Sequence, residues 1–297
     1  MRQGPLQAKT SMKIHVGFEI VHTFWQPTPL LAMLNVHPSR EKDLLTPDTI
    51  SASPHVPISV YTDGFGNICS TMLAPAGDFA LRADAIVADS GEPDVVAEDA
   101  IQLAVEDLPN DTLIYLLGSR YCETDRLVDE AWRLFGNTPK GWRRVQAIVD
   151  YAHDRIQFGY GYARATKSAY EANQERKGVC RDFAHLAVTL CRCMNIPARY
   201  ATGYLGDIGV PVDPAPMDFS AWFEVYLGGR WYTFDARHNH PRIGRIVMGR
   251  GRDAADVALT NAFGPNNLKS FKVWCDEVVE PVQTNGAALG SSVPHAT

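Results

Sequence analysis

The sequence predicts an α+β fold in two parts: a β-rich N-terminal domain over residues 12–120 and a core domain over residues 121–280 whose helices precede its strands. Three observations predict it. Apolar residues alternate with polar ones near the start, take helical spacing between residues 124 and 195, and return to alternation from residue 198. At 297 residues the chain has the length of about two domains. Its 45% hydrophobic and 21% charged content supports a buried core.

Residues 1–11 read as a flexible leader ahead of Met12. Beyond it, Ile14, Val16, Phe18 and Ile20 fall on one side and Lys13, His15 and Glu19 on the other, the pattern of a half-buried strand. Leu31 to Val36, Ile58 to Thr62 and Ile68 to Leu73 are further strand candidates. Asp63-Gly64-Phe65-Gly66-Asn67 supplies a hairpin turn between the last two. Thr124 to Phe135 carries Leu127, Ala131 and Leu134 on one side and stops at Gly136-Asn137. Thr138-Pro139 has the form of an N-cap and a first helical proline, so the next helix is expected to open there. Its apolar face is Val145, Ile148, Val149, Ala152 and Ile156. Ser168 and Glu171 form a capping-box pair for a short helix ending near Gly178. A longer helix is expected from Cys180 to Asn195, with Ala184, Ala187, Val188 and Cys191 at core spacing and Pro197 beyond its end. Strands are expected at Ala198 to Leu205, Ser220 to Leu227, Arg230 to Ala236 and Lys269 to Val279. Residues 281–297 are rich in Gly, Ser and Ala and are expected to be disordered.

A net charge of -6 speaks against nucleic acid or an anionic membrane surface as partner. No apolar run approaches the ~18 residues of a membrane helix. The N-terminus lacks a signal core, so a cytoplasmic protein is expected. Six cysteines in a chain of this length make no disulfide scaffold and read as free thiols.

Chemistry concentrates in two segments. In Gly178-Val179-Cys180-Arg181-Asp182-Phe183-Ala184 a glycine lets the chain turn and a cysteine opens an apolar-faced helix. The free amides and positive dipole end there favour thiolate over thiol and could hold an oxyanion. A buried small hydrophobe is the equal alternative for such a cysteine. In the second segment Gly228-Gly229 reads as a two-residue hairpin turn. It sets Leu227 opposite Arg230, Trp222 opposite Asp235 and Ser220 opposite Arg237. Ala221, Phe223, Val225, Tyr232, Phe234 and Ala236 then share a core face. Ser220, Trp222, Glu224, Thr233, Asp235 and Arg237 share a polar one, with Ser220 and Asp235 roughly 7–8 Å apart as diagonal neighbours.

These segments resemble the transglutaminase-like superfamily, related to papain-type cysteine proteases. There a Gly-x-Cys-x-Asp-Phe-Ala box carries the nucleophile, a His-Ala-Trp-x-Glu-Val strand the base, and an aspartate ends the next strand. Here the later boxes read Ser220-Ala221-Trp222-Phe223-Glu224-Val225 and Trp231-Tyr232-Thr233-Phe234-Asp235. The resemblance covers about residues 130 to 275. It implies a papain-like core, Cys180 as nucleophile and Asp235 as orienting carboxylate. It further implies acyl transfer on a peptide, protein or small amide, by hydrolysis or transamidation, with no cofactor or metal. Ser220 stands where the family places its histidine, and a hydroxyl cannot serve as base near neutral pH. Two functions follow: a thiol enzyme of weak or lost activity, or an inactive cleft that binds peptide or protein. His238 or His240 could return toward Cys180 as a substitute base.

Tyr160, Trp222 and Arg237 are candidates for the substrate cleft, and packing is the bland alternative for the aromatic pair. The basic run Arg237, Arg242, Arg245, Arg250 and Arg252 could bind an acidic substrate or be a solvated loop. Asp207, Asp213 and Asp218 lie in a Gly/Pro-rich loop expected to form a flap without metal. His185 is expected to be a polar core or surface residue.

Overall fold

The computed structural model describes residues 12–279, so the leader 1–11 and the tail 281–297 lie outside the described residues. The first half contains β1 (Met12–Phe24), β2 (Thr28–Ala32), β3 (Ser51–Ser53), β4 (Ser59–Thr62), β5 (Ile68–Ala74) and β6 (Gly77–Asp89). There follow α1 (Thr124–Phe135), α2 (Trp142–Arg155), β7 (Gln157–Phe158), α3 (Ala169–Glu175), β8 (Lys177–Gly178) and α4 (Cys180–Cys193). The chain closes with β9 (Ala198–Tyr204), β10 (Ser220–Leu227), β11 (Arg230–Phe234), β12 (Ile246–Gly251), β13 (Thr260–Ala262) and β14 (Asn266–Glu277).

The fold is α+β, with a strand-rich N-terminal region. Two four-stranded antiparallel sheets, ordered β14-β1-β6-β3 and β13-β2-β5-β4, share one apolar core. Alternation in β1 turns Ile14, Val16, Phe18 and Ile20 inward against Phe79 and Leu81 of β6 and Leu30 of β2. β6 pairs along the whole of β1, from Met12↔Asp89 to Phe24↔Gly77. Strands end at Asp89, not near residue 120. Residues 90–123 instead form a strap of irregular chain and 3₁₀ turns across the second half. The strap's Ile101 carbonyl accepts from Gly228 N–H at the β10–β11 turn, and its Tyr115 ring meets Trp231 edge-on at 5.3 Å.

The expected boundary is also crossed from the other direction. β14, read from sequence as part of the core domain, completes the N-terminal sheet by pairing with β1. β13 does the same for β2. Phe219, immediately before β10, is inserted among Phe18, Tyr204 and Phe271. The two halves therefore share apolar packing at the start of β10.

In the core, α4 packs against α1, α2 and α3 and against β9 and β10, so its residues from Asp182 to Cys193 are buried on every side. The third sheet runs β11-β10-β9-β12. Phe223, Val225, Phe234 and Ala236 sit in the helical core as their alternation predicts. α1 has the expected limits. α2 begins at Trp142, four residues after the expected cap. Thr138 is used otherwise: its hydroxyl donates to Phe135 O at the end of α1 and accepts from Arg144 Nε. α2 starts after Gly141 at φ 86, and a Cβ there would come within 2.4 Å of Ala100 O. Ser168 and Glu171 form the expected capping box on α3, which ends at left-handed Arg176. Among the described residues no helix is long and apolar enough to cross a membrane.

Candidate functional site

Cys180 opens α4, and the Gly-x-Cys-x-Asp spacing has a local cause. Asp182 turns its carboxylate back to accept Val179 N–H at 2.9 Å. Valine offers no return acceptor, so only the carboxylate half of a capping box exists. A Cβ on Gly178 would lie 2.6 Å from that carboxylate, which is why the box needs glycine. The Cys180 thiol is partly buried and packs against the cluster that holds Ala184, Tyr200 and Ala221.

α4 lies on the Ala221, Phe223 and Val225 face of the hairpin rather than on its polar face. The β10–β11 register matches the expected one from Leu227↔Arg230 to Phe223↔Phe234 and stops there. Ser220 and Arg237 therefore do not pair as strand neighbours. The cause is a turn that Asp235 makes for itself: its Oδ1 accepts the N–H groups of Arg237 at 2.9 Å and His238 at 3.0 Å, and its carbonyl accepts Asn239 N–H. At the opening the sulfur of Cys180 feels the charges of Arg237, Asp218 and Asp235.

The field differs from the expectation of an activated thiolate. Burial pushes the Cys180 thiol up to about 11, outweighing the pull of Arg237 and of the Ala221 amide in the other direction. The Asp182 carboxylate at the same helix end opposes the dipole that would favour thiolate.

Asp235 Oδ2 accepts from His238 Nδ1 at 2.8 Å and from Arg245 Nη2 at 2.9 Å. Burial alone would raise this carboxyl, but the Arg245 cation and His238 hold it far below the usual carboxylate range. Arg245 is itself tied to Asp94 of the strap at 2.8 Å.

A cavity of about 340 Å³ brings together Tyr160, Asp218, Ser220, Arg237 and His238 under the 205–218 loop. Of the predicted site residues, Ser220, Tyr160 and Arg237 line it, and Arg237 also stacks over Phe158 at 3.8 Å. Trp222 does not. It is 2% exposed between Ala201 and Val247, with Arg245 over its ring at 5.1 Å, and it borders a separate groove. His240 lines a different cavity of about 580 Å³, although its ring still meets that of His238 edge-on at 6.1 Å. His185 is a buried core residue, stacked on Tyr121 and accepting Ala254 N–H, and burial drives its imidazole well below the usual range.

Apart from Arg237, which lines the cavity, the basic run is tied down by hydrogen bonds within the protein. Arg242 bonds Gly206 O, Arg245 bonds Asp94 and Asp235, Arg250 bonds Glu224, and Arg252 bonds Asp256. Among the described residues no group of three or more His, Cys, Asp or Glu side chains could hold a metal ion. Sequence reasoning named Arg245 only as part of the basic run and missed its pairing with Asp235 and with Asp94 of the strap, since nothing local links residues 94, 235 and 245. The Asp235–His238 pair had a local signal: an aspartate that bonds the amides two and three residues on carries the side chain at the third position back toward itself.

Comparisons with known proteins agree with this fold. Residues 131–236 match the model of the transglutaminase-like superfamily. A solved structure from Cytophaga hutchinsonii, proposed to be a cysteine protease, superposes with a TM-score of 0.79 at 29% identity, covering 92% of each chain. An uncharacterized Mycobacterium leprae protein is 31% identical over 39% of this chain and 42% of its own length. An uncharacterized Mycobacterium bovis protein is 36% identical over 49% of each chain. The chain thus spans about half the length of the curated relatives it matches. The class defined by the fold and the matched segment is transglutaminase-like, of the cysteine protease-like kind. The matched segment holds Cys180, Ser220 and Asp235 and ends two residues before His238.

Proposed function

We propose that this protein performs thiol-dependent acyl transfer on a peptide, protein or small amide, with Cys180 as nucleophile, and that it is slow at neutral pH. One observation carries the reading: the Cys180 sulfur sits at the first turn of α4 against the Ala221 amide, within the field of the cavity residues Asp218 and Arg237. The free amides of a helix start and the Ala221 N–H suit an oxyanion formed when the sulfur attacks a carbonyl. Cys180 forms an acyl-thioester that water or an amine resolves. Slowness follows from the burial that pushes the thiol up and from Ser220, whose hydroxyl is no base. The description of the Cytophaga hutchinsonii neighbour as a cysteine protease supports peptide bonds as the substrate class. Six free cysteines support a reducing, cytoplasmic setting.

Ser220 and the burial of the thiol also favour a second reading, an inactive cleft that only binds peptide. Incubation with p-nitrophenyl acetate at pH 9, followed by peptide mass spectrometry, separates the two. Acyl transfer predicts one acetyl adduct on Cys180 that is lost in Cys180→Ala and turns over with time. No adduct at Cys180 overturns the reading, and an adduct that never turns over favours the binding cleft.

A further inference from the structure

We infer that His238 is the proton-transfer residue of this site, replacing from the turn after β11 the histidine that the family places at position 220 on β10. The inference rests on the acyl-transfer reading.

Burial pushes the Cys180 thiol up to about 11, so the protonated form is the one favoured near pH 7. A base must therefore take its proton during the reaction. That base needs a free nitrogen facing the cavity and a third group to orient it. His238 meets both conditions. Its backbone is fixed by the Asp235 Oδ1 bonds to Arg237 and His238 N–H, and its ring by Asp235 Oδ2.

The tautomer follows from the chemistry of the carboxylate. Asp235, held ionised by Arg245, can only accept, so Nδ1 carries the hydrogen and the neutral ring presents its lone pair at Nε2. Nε2 has no protein partner among the described residues, and the ring lines the cavity that Ser220 and Tyr160 line. The same carboxylate that would orient a histidine at 220 thus orients one from the turn after β11. The other histidines of the core are committed elsewhere. His185 Nε2 already accepts from Ala254, His153 Nδ1 lies against Ala236 O, and His240 belongs to the other cavity.

The steps balance on one proton. Nε2 takes the Cys180 S–H proton as the sulfur bonds the carbonyl carbon. The C–N bond then breaks, and Nε2 returns the proton to the leaving nitrogen. Water attacks the thioester, giving a proton to Nε2, and the C–S bond breaks. The departing sulfur recovers that proton, and the carboxylic acid is released.

The test is the rate of Cys180 acetylation by p-nitrophenyl acetate at pH 7, read by mass spectrometry. His238→Ala is expected to slow it by ~10²–10³-fold. Added free imidazole should restore much of the rate in His238→Ala and change the unmodified protein little. His238→Ala with Ser220→His should recover activity without imidazole, and His240→Ala should leave it unchanged. His238→Gln, which keeps an N–H for Asp235, serves if the alanine variant does not fold. An unchanged rate in the His238 variants, with Cys180→Ala inert, overturns the base assignment alone. Loss of rate that neither imidazole nor the second histidine restores overturns it too. No Cys180 adduct in the unmodified protein overturns the acyl-transfer reading and this inference together.

Discussion

Glu224 and Asp235 are both buried carboxylates on the polar face of one hairpin, and arginine holds both ionised, yet they are completed differently. Both oxygens of Glu224 go to Arg250, and one also to Arg199. Arg250 continues to Ser39 in the N-terminal region. The same Arg250 also meets His37 Nδ1 at 3.1 Å, but both direct partners of the Glu224 carboxylate are permanent cations, so the cluster is a joint between the halves. Asp235 spends one oxygen on its own turn and shares the other between Arg245 and an imidazole with a free nitrogen. The same residue chemistry makes a joint where the carboxylate meets only permanent cations and a candidate site where one of its direct partners is an imidazole lining a cavity.

The sharpest way to break this comparison is Glu224→Ala. It strands two largely buried arginines, and its expected cost is about 3–5 kcal/mol of stability in urea unfolding. Cys180 acylation under folding conditions should be retained; a rate loss without unfolding would show that the joint belongs to the site. Next in size is Ser220→His, which places an imidazole in the cavity from the β10 side. Acetylation of Cys180 at pH 7 is expected to rise by ~10²-fold, and a flat response would separate Ser220 from the thiol.

A smaller effect comes from acid. Both carboxylates are lowered in the folded chain: burial would raise each, but Arg250 and Arg199 at Glu224, and Arg245 and His238 at Asp235, outweigh it. The unfolded chain therefore binds more protons below its own carboxylate range of about 4. Their contribution is whole above that range and is lost as pH falls through and below it, by up to about 1.4 kcal/mol per pH unit for each group. Urea midpoints from pH 6 to pH 3 would show it, and Glu224→Gln should flatten only its own share. The smallest expected effect is Arg237→Gln. Arg237 opposes the burial that raises the Cys180 thiol, so its loss should slow iodoacetamide alkylation of Cys180 about two- to five-fold at pH 8. In the unmodified protein that rate should climb between pH 7 and pH 9 without a plateau; a plateau by pH 7 would mean an ionised sulfur.

How much was legible depended on whether the cause was local. The hairpin register through Phe234, the α3 capping box and the α4 start are set by residues within a few positions, and they read correctly. Thr138-Pro139 misled because the same hydroxyl can close one helix or open the next, and only the position of Gly141 against Ala100 decides. β6 went unread because its inward positions include Ala83 and Ala85, whose alternation is faint, although it pairs along all of β1. Of the two equal readings of Cys180, the activated thiolate is opposed by something non-local: burial by packing pushes the thiol up against the pull of the helix end. The pairing of Asp235 with Arg245 and Asp94 was invisible for the same cause, since it is assembled across three distant segments.

Phe219 carries a practical consequence. Its ring is lodged in the core of the N-terminal sheets, one peptide bond ahead of Ser220, with Phe271 of β14 closing over it. A shortened chain beginning near residue 121 would keep Cys180, Asp235 and His238 but leave that ring in water and β14 without β1. The mouth of the cleft would lose its anchor, so such a fragment should aggregate or bind loosely even with its chemistry intact, and the sandwich is best regarded as the frame of the cleft.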